Sequence, residues 1–69
     1  MQLQLRLDEY SATVTYVGEA APGVAESAAF WRVKRLTQSG TVLKVDWADG
    51  NEDYDNVWTY RASLTYVPA

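Results

Sequence analysis

The 69-residue chain contains no cysteine and no histidine. Without cysteine there is no disulfide framework, no thiolate nucleophile and no cysteine-based zinc site. Without histidine the commonest general base and the commonest metal ligand are missing too. No stretch approaches the roughly 18 apolar residues that a membrane helix needs. The opening run Met1-Gln2-Leu3-Gln4-Leu5-Arg6-Leu7-Asp8 alternates polar and apolar residues, so it lacks the continuous apolar centre of a signal peptide. Helical periodicity is absent as well: no window holds apolar residues at i, i+3, i+4 and i+7 over three turns. Alanines 20, 21, 25, 28 and 29 give residues 19–30 some helical character, which Pro22 and Gly23 interrupt.

What is present is a β pattern rich in aromatic rings. Leu3, Leu5 and Leu7 alternate with polar neighbours, which predicts a half-buried strand over 2–8. Thr13, Val14, Thr15, Tyr16 and Val17 predict a second strand. Residues 18–28, with Gly18, Pro22 and Gly23, read as a long loop. Two further strands, 29–37 and 41–48, are joined by the short turn Gln38-Ser39-Gly40 and predict a β-hairpin. In it Trp31, Val33 and Arg35 share one face, and Phe30, Arg32, Lys34 and Leu36 the other. Leu43, Val45 and Trp47 likewise oppose Val42, Lys44 and Asp46. A polar loop follows, with a short helical turn conceivable at 54–58. Residues 57–67 predict a last strand or two, bent at Ala62-Ser63 and ended by Pro68. The expected fold is one all-β domain over 1–69, a small antiparallel five-stranded barrel or curled sheet.

Size sets the next constraint. At this length apolar burial and chain entropy nearly cancel, so small domains lean on dense aromatic packing or on association. Three Trp, five Tyr and one Phe are more rings than so short a chain can readily enclose. Some are therefore expected on a contact surface, where Trp and Tyr are enriched. The candidate partner-binding residues are Trp31, Trp47, Tyr54, Trp58, Tyr60 and Arg61.

Other constellations are weaker. Asp49, Asn51, Asp53 and Asp55 alternate like the start of a calcium loop, but Tyr54 and Tyr60 stand where glycine and glutamate belong. A turn whose Asp and Asn side chains bond their own backbone is the simpler reading. Arg32-Val33-Lys34-Arg35 resembles a nucleic-acid stripe. The net charge of −3 and the split of these cations between two strand faces oppose it. Ser11, Ser27, Ser39 and Ser63 lack a histidine partner, and the carboxylates sit in an exposed turn, so neither catalysis nor a cofactor is expected.

Several segments carry a resemblance. These are Tyr16-Val17-Gly18-Glu19-Ala20-Ala21-Pro22-Gly23, Trp31-Arg32-Val33-Lys34-Arg35, Trp47-Ala48-Asp49-Gly50, Tyr54-Asp55-Asn56-Val57-Trp58 and Arg61-Ala62-Ser63-Leu64-Thr65-Tyr66. Together the pattern resembles that of short proteins encoded by tailed bacteriophages, over residues 16–66, about three quarters of the chain. The resemblance implies a virion structural protein made in the host cytoplasm. Such a protein would bind capsid, neck, tail or fibre proteins in many copies, as a homo-oligomer or part of an assembly, without nucleic acid or membrane. Within that reading 1–8 is a candidate exchanging edge strand. The alternative is an SH3-like or Tudor-like binding barrel that takes a peptide or nucleic acid in a groove of Trp47, Tyr54 and Trp58.

Overall fold

The computed structural model describes residues 2–68. Five strands, β1 (Gln4–Asp8), β2 (Val14–Ala20), β3 (Arg32–Ser39), β4 (Val42–Ala48) and β5 (Tyr66–Pro68), pair antiparallel in sequence order as one sheet. The all-β, five-stranded expectation holds. Of its two forms the curled sheet is found: β1 and β5 are edges and do not close into a barrel. A 3₁₀ segment, Trp58–Ser63, leads into β5.

The β3–β4 hairpin follows its alternation. Ser39 pairs with Val42, leaving Gly40-Thr41 as a two-residue connection. Gly40 has φ 63° at the first central position, as a type II′ turn requires. After β4, Asp49 and Gly50 have φ 60° and 74°, the pair of positive values that defines a type I′ turn.

Register sorts the side chains onto two faces. Val14, Tyr16, Gly18 and Ala20 share the inner face with Val33, Asp46, Ala48 and Tyr66. Tyr16, Ala20, Val33 and Ala48 join Trp31 and Trp58 in the core, with Val24, Leu64 and Tyr66 packed around it. Gly18 makes this possible. A Cβ there would sit 2.7 Å from Cζ3 of Trp58 and 3.2 Å from Cε3 of Trp31. The missing side chain is the seat of a tilted indole pair whose ring centroids lie 5.9 Å apart.

Three expectations are corrected. First, 18–28 is not all loop: β2 runs on through Gly18 to Ala20, so the connection begins at residue 21. Gly18 is selected by close approach, not by a turn. Second, most of 57–67 is not strand. Residues 58–63 leave the sheet as a 3₁₀ segment that drops Trp58 onto Gly18, and only three residues of β5 pair with β4. Third, β1 is turned over. Leu5 and Leu7 are 56% and 64% exposed, while Gln4, Arg6 and Asp8 face inward. The polar row is held because each member ties down a loop. Gln4 donates to the Ala21 and Val24 carbonyls at 2.9 and 3.1 Å, Arg6 pairs with Glu26 at 2.8 Å, and Asp8 pairs with Arg61 at 2.8 Å.

Tyr66 closes the inner face at β5. Its hydroxyl donates to the Arg61 carbonyl at 2.7 Å, and its ring lies 5.7 Å from that of Tyr16. Burial, then the neighbouring Tyr16, pushes its pKa well above the usual tyrosine value, with Arg35 and Arg61 opposing. The folded state therefore holds this proton more tightly than the unfolded chain, which releases it near pH 10. The stabilisation is complete below about pH 10 and is lost as pH rises, by at most about 1.4 kcal/mol per pH unit. Urea unfolding at pH 9 and pH 11 should show this fall, and Tyr66→Phe should flatten it. An equal fall in the variant would assign it to other groups.

Candidate functional site

The six residues singled out from sequence divide between the two sides of the sheet. Trp31 and Trp58 are 0% and 4% exposed, so neither can face a partner. Both belong to the core, packed with Tyr16, Ala20, Val33 and Ala48. Trp31 Nε1 donates to the Ala25 carbonyl at 2.9 Å, and the Trp31 backbone exchanges two hydrogen bonds with Asn56 at 2.9 and 3.0 Å. Arg61 lies over the Trp58 ring, 4.5 Å from its centroid, while pairing with Asp8, so it holds the 3₁₀ segment to β1. Tyr60 is exposed on that segment. An aromatic groove built from Trp47, Tyr54 and Trp58 is not assembled, because the sheet is open and Trp58 belongs to the inner core.

Trp47 and Tyr54 do come together, around Arg32. β4 places Trp47 on the outer face beside Lys34 of β3. The Arg32 guanidinium carbon lies 5.6 Å from the Trp47 ring centroid and 4.9 Å from that of Tyr54. Lys34 Nζ approaches the same indole at 5.3 Å. Glu19, opposite Arg32 on β2, accepts from Arg32 Nη2 at 2.8 Å and thereby raises the guanidinium pKa further. The outcome is a half-buried, fully charged cluster in which cations lie against aromatic faces, an arrangement worth about 0.5–2 kcal/mol per contact as water is excluded.

Around this cluster the outer face is apolar and uncovered. One row crosses the sheet as Leu7, Val17, Lys34, Trp47 and Val67; the next runs through Thr15, Leu36 and Val45. Leu5, Leu7, Leu43, Val45 and Val67 are exposed. Val17 is buried yet stands outside the core cluster, because its neighbours in the register are Leu7 and Lys34 on the outer side. Antiparallel sheets commonly show water a polar face, whereas this one is largely apolar around the cluster. A groove of about 440 Å³ adjoins it, lined by Leu3, Ala21, Val24, Phe30 and Tyr54.

The cations of 32–35 are split between the faces, as the alternation predicts. Arg32 and Lys34 lie outside; Arg35 lies inside, 2.9 Å from Asp46 and over the Tyr66 ring. In the acidic loop Asn51 Oδ1 accepts from the Asp53 backbone at 2.9 Å, so this side chain bonds its own turn. Among the described residues no three acidic side chains converge on a point that would hold a metal ion.

Fold and surface together define a single-layer antiparallel β module with one face sealed by a tryptophan pair and the other left open. Compared with known proteins, the chain has no significant match to a family model, a curated protein or a solved structure.

Proposed function

We propose that the chain is a non-enzymatic structural module of a bacteriophage particle, docking in many copies onto capsid, neck, tail or fibre proteins through its outer sheet face. The carrying observation is that face: exposed Leu5, Leu7, Leu43, Val45 and Val67 around half-buried Trp47. The motif resemblance over 16–66 supports the phage assignment. Docking of this kind needs no chemistry. Trp47 supplies a rigid anchor at the centre of the patch, with Arg32 and Lys34 against its ring. Aromatic and arginine anchors surrounded by aliphatic contacts carry most of the energy in such interfaces.

Mass spectrometry of particles released from a host carrying the gene tests the reading. The chain is expected at high copy. Trp47→Ala, with unchanged circular dichroism, should reduce its incorporation at least tenfold, since central anchors contribute about 2 kcal/mol or more. Absence of the chain from the particles, or normal incorporation of the variant, would refute the role. A second reading, capture of an apolar peptide, is favoured only by the groove beside Phe30 and Tyr54. Saturable binding of apolar peptides that Phe30→Ala abolishes, with unchanged circular dichroism, would select it.

A further inference from the structure

The two edges of the sheet are not alike. β5 has three residues and ends in Pro68, which offers no N–H to a neighbour. β1 has five residues, contains no proline and keeps an unbroken register with β2 from Gln4↔Ala20 to Asp8↔Tyr16. Short length, proline, bulges and inward-pointing charge are among the usual protections of an edge strand. β5 has the first two; β1 has neither, and its inward charges, Arg6 and Asp8, are already paired within the chain. Among the described residues β1's other backbone bond beyond the ladder is local, from Tyr10 N to Asp8 O at 2.8 Å. Arg6 Nη1 also reaches the Leu5 carbonyl, at a long 3.3 Å. The inward side chains of β1 are satisfied within the chain, so a new strand would leave Gln4, Arg6 and Asp8 in place.

We propose that β1 pairs antiparallel with β1 of a second copy about a two-fold axis at Leu5, making one ten-stranded sheet. Self-complementarity selects this partner and this register. Centred on Leu5, the pairing sets Leu3 against Leu7, Leu5 against Leu5 and Gln4 against Arg6. Centred on Arg6 instead, it would set Arg6 against Arg6, and like charges directly opposite are destabilising. The leucines gain cross-strand contacts that the monomer denies them. The net charge of −3 does not forbid association. The acids between Asp46 and Asp55 belong to β4 and the loop beyond it, and β4 lies three strands from β1. At about 4.8 Å per strand that separation exceeds the roughly 8 Å screening length of physiological salt. An edge of this length falls below the roughly 800 Å² per partner of a standard interface, so the dimer is a small one whose population rises with protein concentration. Its hydrogen bonds form along the edge, but Leu5 and Leu7 also belong to the outer face, so disulfide linking and not incorporation into particles is what reads the dimer.

The absence of native cysteine makes the register directly readable. Residues directly opposite in an antiparallel pair have Cα atoms about 4.5–5.5 Å apart, within disulfide range. Under mild oxidation at high micromolar concentration, the full chain carrying Leu5→Cys should convert largely to a linked dimer. Leu7→Cys should stay unlinked, its two copies lying about 13 Å apart along the strands at 3.3 Å per residue. A mixture of Leu3→Cys and Leu7→Cys chains should link to each other. Leu5→Lys, with unchanged circular dichroism, should weaken dimerisation at least tenfold in sedimentation. Equal linking at positions 5 and 7, or a wild-type chain sedimenting at 7.7 kDa at every concentration, overturns the proposal. A monomeric chain still found in particles would remove the dimer and leave the docking role standing.

Discussion

Trp31→Ala is expected to leave the chain largely unfolded at 37 °C. Trp31 is fully buried, stacked against Trp58 and hydrogen-bonded through its indole to the Ala25 carbonyl. Truncating a buried tryptophan or phenylalanine removes about 3–5 kcal/mol. It would also strip the Ala25 carbonyl of its indole donor, at a further cost of about 1 kcal/mol. A domain of this size holds only about 3–10 kcal/mol in total. Thermal unfolding followed by circular dichroism checks this. A cooperative transition less than about 10 °C below wild type would show that the tryptophan pair is not the centre of the core. Trp31→Phe keeps most of the apolar volume, and its smaller loss would separate packing from the indole hydrogen bond.

Gly18→Ala should be nearly as damaging, which is unusual for so small a change. The backbone at Gly18 lies outside the positive-φ region, so alanine meets no dihedral penalty there and would gain up to about 1 kcal/mol through the unfolded chain. Space decides against it. The added methyl would overlap Cε3 of Trp58 and lie 2.7 Å from Cζ3, with Trp31 3.2 Å away on the other side. The rings cannot both retreat, because Trp31 is tied to Ala25 and Trp58 lies beneath Arg61. Overpacking of this kind costs about 1–3 kcal/mol, sometimes more, and the upper end is expected. A double-mutant cycle with Trp58→Leu tests the cause. The methyl should be tolerated far better once the indole is gone, giving a coupling of at least about 1 kcal/mol. Strictly additive losses would mean that the clash is relieved elsewhere.

Sequence reasoning reached the β class, the strand number and the β3–β4 hairpin, because in that hairpin local alternation and tertiary placement agree. Arg32, Lys34 and Leu36 do oppose Val33 and Arg35, and Leu43, Val45 and Trp47 do share the open face. It misjudged β1 because period two says which residues share a side and not which side is inside. That choice was made by partners far along the chain: Glu26 for Arg6 and Arg61 for Asp8. It also placed Gly18 in the loop rather than in β2, although Tyr16, Gly18 and Ala20 continue an alternation in which small residues stand opposite large rings. Of the candidate site, Trp47 and Tyr54 were legible together. Their convergence on Arg32 depends on the route of the 49–56 loop, which no local pattern encodes. Trp58 was counted among the surplus rings expected on a contact surface, whereas close packing on Gly18 draws its segment out of the sheet and into the core.

The order of pairing along the sheet bears on how the molecule is made. Each strand joins the one synthesised just before it, so β1 to β4 can assemble progressively as the polypeptide leaves the ribosome. The element that caps them arrives late, with Trp58. Until then Trp31 and the bare backbone at Gly18 have no roof. The nascent sheet must wait for residues 58–63 before its greasy underside is sheltered, and a stall in translation before that point would hold a half-built, sticky intermediate on the ribosome.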